Sequence, residues 1–155
     1  MDEIDRNITV ALQLDGSAGL AELAKVAGLS VSATAERVKR LEERRVIRGW
    51  RADLDPVAAG CPLLVHILVT VAPGRDETAF RKAMRRQETV LECHAITGDW
   101  TYLLKVRLAD LPALDAFLND ELRAQSGVQR VETLLAIATV KETSILPVAP
   151  ADPDE

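Results

Sequence analysis

The chain has 155 residues, 48% apolar and 28% charged, with a net charge of −5, so it is one ordinary domain or two very small ones and not a large modular enzyme. No run approaches the roughly 18 to 20 apolar residues of a membrane helix, and MDEIDRN lacks both a basic head and an apolar h-region, so a cytoplasmic protein with no membrane partner is expected. Cys61 and Cys93 are too few and too far apart for a disulfide scaffold or a zinc ribbon, which leaves no metal expected, and five aromatic residues are too few for a base-stacking platform.

The first elements are helical. Ile4, Ile8, Ala11 and Leu12 share one face, and Leu20, Leu23, Ala24 and Ala27 repeat the stripe after Asp15-Gly16. A third helix is predicted from the N-cap Ser30, which follows Gly28, with Val31, Ala35, Val38 and Leu41 inward and Thr34 beside them. Each helix is short and single-faced, so the three must close on one another. VIRGWRADLD then reads as a small β-hairpin around Gly49. Three helices and a hairpin make a winged helix-turn-helix over residues 1–60.

From residue 63 the pattern changes. LLVHILVTVA, a polar helix over Asp76 to Glu88, VLECHAIT, a Gly98-Asp99 turn, TYLLKVRLA, a helix from about Leu111 to Ser126, and VQRVETLLAIATVKE give the order β-α-β-β-α-β. This is a ferredoxin-like unit over 61–147, and the whole chain is α+β. The strand runs are apolar at nearly every position, so both sheet faces are expected to be buried. Two helices cover only one face, which predicts a homodimer with two sheets back to back. Residues 148–155 are Pro- and acid-rich and read as a disordered tail.

The net charge hides a polarity. Residues 28–51 carry seven basic side chains against Glu36, Glu42 and Glu43, in a chain that is otherwise acidic or neutral. On a helical wheel Ser32, Ala33, Glu36, Arg37 and Arg40 fall opposite the apolar arc. Small or hydrogen-bonding residues near a helix N-terminus, followed by guanidinium groups, suit a major groove. Arg44, Arg48 and Arg51, with Arg45 between them, would neutralise backbone phosphates. Glu36 is expected to position Arg40, four residues on. The expected partner is double-stranded DNA.

IDRNI, ELAKVAGLS, ERVKRLEERRVIRGWRADLDP and LECHAITGDWTYLLKV together resemble the Lrp/AsnC family, the feast/famine regulators, over residues 2 to about 147. The resemblance implies a transcriptional regulator that reads palindromic operators, assembles from dimers into tetramers or octamers, and responds to a small molecule, usually an amino acid, held where two effector domains meet. It places the effector turn at Gly98, Asp99, Trp100, Thr101 and Tyr102, with Thr133 and Thr139 on the last strand as further pocket hydroxyls. The family usually has aspartate where this chain has Thr101, so either Asp99 meets the ligand's ammonium group or the ligand lacks one. Ser17 also departs from a frequent arginine, as do Ala35 and Glu36 from commoner basic or apolar residues.

The same architecture occurs in sirohaem decarboxylases, the alternative reading. His66 and His94 are the only histidines, each on a predicted strand. Cys93 and His94 are strand neighbours and point to opposite faces. Gly-x-Gly-x-x-Gly and Walker-type loops are absent, no cofactor is expected, and no nucleophile-and-base spacing appears, so the chain reads as a regulator and not an enzyme.

Overall fold

The computed structural model describes residues 1–149 and divides into two compact units. The first contains Met1–Asp53 and the segment beginning at Lys141, and the second spans Leu54–Val140. The end of the expected acidic tail, residues 150–155, lies outside the described residues.

The first unit holds α1 (Glu3–Leu14), α2 (Leu20–Ala27) and α3 (Val31–Glu43). Asp2 caps α1 by accepting from the Asp5 N–H at 2.8 Å, and Glu22 reaches back to the Gly19 N–H at 3.2 Å to close the start of α2. Gly28 ends α2 in the left-handed region (φ 65), which a Cβ would strain, and this lets the Leu29 N–H reach Ala24 O at 3.1 Å. Ser30 then caps α3 by accepting from the Ala33 N–H at 3.2 Å. Ile8, Leu12, Leu23, Ala27 and Leu41 form the core. Leu20 and Val31, expected inward, are 41% and 49% exposed. Each is the first residue of its helix, where Cβ tilts back past the helix end.

The expected hairpin is not there. Residues 46–55 contain no strand among the described residues. Arg45 turns left-handed (φ 59), and the N–H groups of Val46 and Ile47 both return to Leu41 O, at 2.9 and 3.1 Å. The chain then runs out without pairing on itself. Val46, Trp50 and Leu54 stay exposed, so no burial within the chain offsets the entropy of closing a hairpin. Trp50 is instead fixed through its ring N–H, which donates to Glu42 at 3.0 Å. At the other end of the unit, the Gln13 side chain donates to Leu146 O at 3.1 Å and accepts from the Leu146 N–H at 2.7 Å.

The second unit is β1 (Leu63–Val71), α4 (Arg75–Met84), β2 (Val90–Ala95), β3 (Tyr102–Leu108), α5 (Leu111–Ala116) continuing into a π-helical turn (Phe117–Leu122), and β4 (Val128–Leu135). The strands form one antiparallel sheet in the order β2-β3-β1-β4, the ferredoxin-like arrangement. Val65, Ile67, Val69 and Val71 of β1 and Tyr102, Leu104, Val106 and Leu108 of β3 point to the helices and meet Phe80, Met84, Leu114, Phe117 and Leu122. Within one chain, burial therefore alternates along β1 and β3. Their other face, with His66, Leu68, Leu103 and Lys105, is only half-buried, with no helix or strand of the sheet unit packed over it among the described residues. β4 is shorter than expected. After the Ala136 N–H bonds Leu64 O at 3.0 Å, β1 has run out and offers no further partner.

Candidate functional site

The outward face of α3 is built by its own caps and by α1. The Ser30 hydroxyl caps the helix and lies 3.2 Å from that of Ser32, while Thr34, fully buried, donates its hydroxyl to Ser30 O at 2.9 Å. These contacts seat the N-terminal turn. Ser32, Glu36 and Arg40 are exposed and Ala33 is half-buried beside them. Arg40 Nε lies 3.5 Å from Glu36 Oε1, so the carboxylate steers the guanidinium along the helix surface. Arg44, Arg45, Arg48 and Arg51 continue the cationic surface beyond the helix, all exposed and without a carboxylate partner among the described residues.

Arg37 behaves differently from its neighbours. Its guanidinium donates to Asp2 and, at 3.0 Å, to the buried Asp5, so it ties α3 to the first turn of α1. The Asp5 N–H and then Arg37 hold the Asp2 carboxyl below its ordinary value, and the two carboxylates raise that of Arg37. Sequence reasoning placed Arg37 on the DNA side because a wheel shows which residues share a face but not which charged partner lies across the bundle. The available signal was the Asp2/Asp5 pair, three residues apart at a helix start.

In the sheet unit, Gly98 (φ 108) and the exposed Asp99 form the turn between β2 and β3. Trp100 packs under Arg130 of β4, whose guanidinium carbon lies 4.3 Å from the ring centroid. The Thr101 hydroxyl donates to Val69 O at 3.0 Å and accepts from the Val71 N–H at 2.9 Å, so it is occupied by the β1 backbone. Tyr102 points the opposite way, into the helix-covered side. Its hydroxyl donates to Glu77 at 2.6 Å and accepts from Arg81 Nε. Burial pushes the Tyr102 phenol up, and the Tyr102 and Arg81 donors lower Glu77. Glu77, Arg81 and Arg130 were not foreseen, because the contacts that join them to this run cross between elements.

Thr133 pairs with Ile67 in the sheet register and shares its helix-covered face. Thr139 was expected on the last strand, but β4 ends at Leu135 and Thr139 lies exposed beyond it. Neither residue shares a hydrogen bond with the Gly98 turn among the described residues.

The histidines do not converge on a reactive group. His94 Nε2 lies 3.1 Å from Glu92, whose other oxygen takes Lys105 at 3.2 Å. His66 stands across the strand from Lys105 on one side and Leu134 on the other. Among the described residues no group of three His, Cys, Asp or Glu side chains is placed to hold a metal, and no helix is long and apolar enough to cross a membrane.

Comparison with known proteins matches both units. Residues 1–42 fit the AsnC-type helix-turn-helix domain and residues 64–146 the Lrp/AsnC ligand binding domain. The chain is 38% identical to the leucine-responsive regulatory protein of Haemophilus influenzae, over 94% of this chain and 89% of that one. It is 37% identical to the protein of the same name from Escherichia coli K12, over 94% and 90%. Among solved structures, a transcriptional regulator from Neisseria meningitidis in complex with L-Met superposes with a TM-score of 0.90 at 30% identity, covering 95% of this chain and 96% of the other. A feast or famine regulatory protein from M. tuberculosis complexed with L-methionine gives 0.85 at 34%, covering 94% and 97%. These relatives are regulators by name, and the decarboxylase alternative finds no support among them. With a DNA-binding head and a ligand-binding sheet unit matched in the same order, the chain belongs to the Lrp/AsnC family of transcriptional regulators.

Proposed function

We propose that the protein is a cytoplasmic transcriptional regulator that docks α3 in the major groove of a palindromic operator and changes its assembly or DNA affinity when a small metabolite binds between effector units. The observation that carries the DNA-reading half is the unpartnered cationic run Arg44, Arg48 and Arg51, continuous with the Glu36-steered Arg40 on the exposed side of α3. In this reading Ser32, Ala33, Glu36 and Arg40 approach base edges and the later arginines hold phosphates. Arg37 contributes by fixing the angle between α3 and α1.

The effector is an amino acid or a close relative of one, as with the L-methionine complexes of the two related regulators. Gly98, Asp99 and Trp100 would meet it at the seam, with Thr101 and Tyr102 holding the turn on the sheet, and Thr133 and Thr139 would serve only if a second subunit brings them near. The half-buried sheet face with Leu68 and Leu103 is the surface on which two chains pair, and the dimers would assemble further into tetramers or octamers. Ligand binding at the seam favours the assembly that contacts it best, and so resets the spacing of recognition helices relative to the roughly 34 Å DNA repeat.

The test is selection of bound genomic fragments with and without a panel of amino acids, followed by titration of one selected duplex across salt. Affinity should fall steeply with salt, and each of Arg44→Ala, Arg48→Ala and Arg51→Ala should flatten the log-log slope by about one phosphate contact. Salt-insensitive binding, or none, would overturn the reading.

A further inference from the structure

Between α4 and the edge strand β2 the sheet unit carries an open cleft of about 380 Å³, within the roughly 300 to 1,000 Å³ of small-molecule sites. Its apolar lining comes from Met84, Val90, Leu91, Cys93 and Ala95 together with the Tyr102 ring. Leu91 is 52% exposed here, an apolar side chain held at a bulge where β2 slips register between Val90 and Glu92.

The charges around the cleft decide what it would hold. Arg81 is satisfied by Glu77 at 2.8 Å and by the Tyr102 hydroxyl. Glu92 is satisfied by Lys105 and His94. Glu92 in the lining and Glu77 beside it already have cationic partners, so an ammonium group gains less there than an anion gains at an uncompensated cation. Arg85, the residue that ends α4, is exposed and has no carboxylate partner among the described residues. An apolar floor with one uncompensated guanidinium at its rim matches an apolar tail ending in a single negative charge.

We propose that this cleft binds a small apolar carboxylate that carries no ammonium group, with Arg85 meeting the carboxylate and the Met84, Val90 and Leu91 surface taking the hydrocarbon. The lining comes from one chain, whereas the effector reading places its ligand at the Gly98 turn where two chains meet; the two share only Tyr102, and duplex binding measured alongside reports on that other reading separately. Cys93 is exposed in the cleft, with partial desolvation holding its thiol above the ordinary value, so a bound ligand that covers it will slow its alkylation.

Full-length protein is titrated with 4-methylpentanoate, its 2-oxo derivative and L-leucine, which share one hydrocarbon chain and differ at Cα. Calorimetry gives affinity, and peptide mapping of iodoacetamide alkylation compares Cys93 with Cys61. Both acids should protect Cys93 and leave Cys61 unchanged, L-leucine should bind there at least about tenfold more weakly, and Arg85→Gln should weaken the acids about tenfold through loss of the charge-assisted hydrogen bond. Absence of protection at millimolar acid, undiminished protection in Arg85→Gln, or equal protection by L-leucine would each overturn the assignment.

Discussion

The two units are held together by different kinds of interaction. The head closes on a core cluster of five apolar side chains among the described residues and relies on polar fastenings around them: Ser30 and Asp2 as caps, Arg37 on Asp2 and Asp5, Trp50 on Glu42, Gln13 on Leu146. The sheet unit packs a core cluster of thirteen buried residues between strands and helices among the described residues. Volume governs the second unit, whereas charge and capping govern the first. A regulator divided in this way can be disturbed at its reading end without loss of its assembling end, and the reverse.

The sharpest break in that contrast comes from Phe80→Ala, which empties a fully buried site under the sheet and should cost about 3 to 5 kcal/mol. Each unit has one tryptophan, Trp50 in the head and Trp100 in the sheet unit, so single-tryptophan variants can follow the two urea transitions separately. The Trp100 transition should move to lower urea and the Trp50 transition should stay. A shift of both by the same amount would show one cooperative block.

Next in size is Arg40→Ala, expected to weaken operator binding by about 1 to 3 kcal/mol in anisotropy titrations while the sedimenting mass of the assembly stays unchanged. Ser30→Ala, by removing the cap of the same helix, should lower the head transition by about 1 kcal/mol and leave the sheet transition in place.

The smallest effect is a pH dependence. Asp2 titrates below its ordinary 3.8 in the folded head, so the stability it contributes is fully present above that value and is lost as pH falls through the lower, folded-state one. The pair is partly solvent-screened, so the loss should stay under about 1 kcal/mol. It should be visible as a steeper acid weakening of the head transition in the wild type than in Arg37→Met. Identical acid profiles would mean that the ion pair contributes nothing measurable.

Much of this was legible in the sequence for a physical reason. Periodicity encodes the face that a helix buries, so Ile8, Leu23 and Leu41 could be assigned from the sequence, whereas the strand runs of β1 and β3 were recognisable as strands but their nearly continuous apolar residues hid which face meets the helices. Caps are equally local, and Ser30 after Gly28 announced α3. What failed was anything that depends on a partner across the fold. The run after Arg45 looked like a hairpin because its residues suit a strand, but a strand needs a neighbour, and none pairs with it among the described residues. Thr139 looked like strand for the same reason and lost its partner when β1 ended. At the effector turn the sequence supplied the order Gly98 to Tyr102. It could not show that Thr101 is already bonded to β1 or that Tyr102 faces the helices.

Gln13 and Leu146 stand 133 positions apart, yet each satisfies the other's hydrogen-bonding groups within the head. The head's surface is thus fastened by residues that the whole sheet unit separates in sequence, so its last contact closes a loop of 133 positions and carries the entropy of that closure.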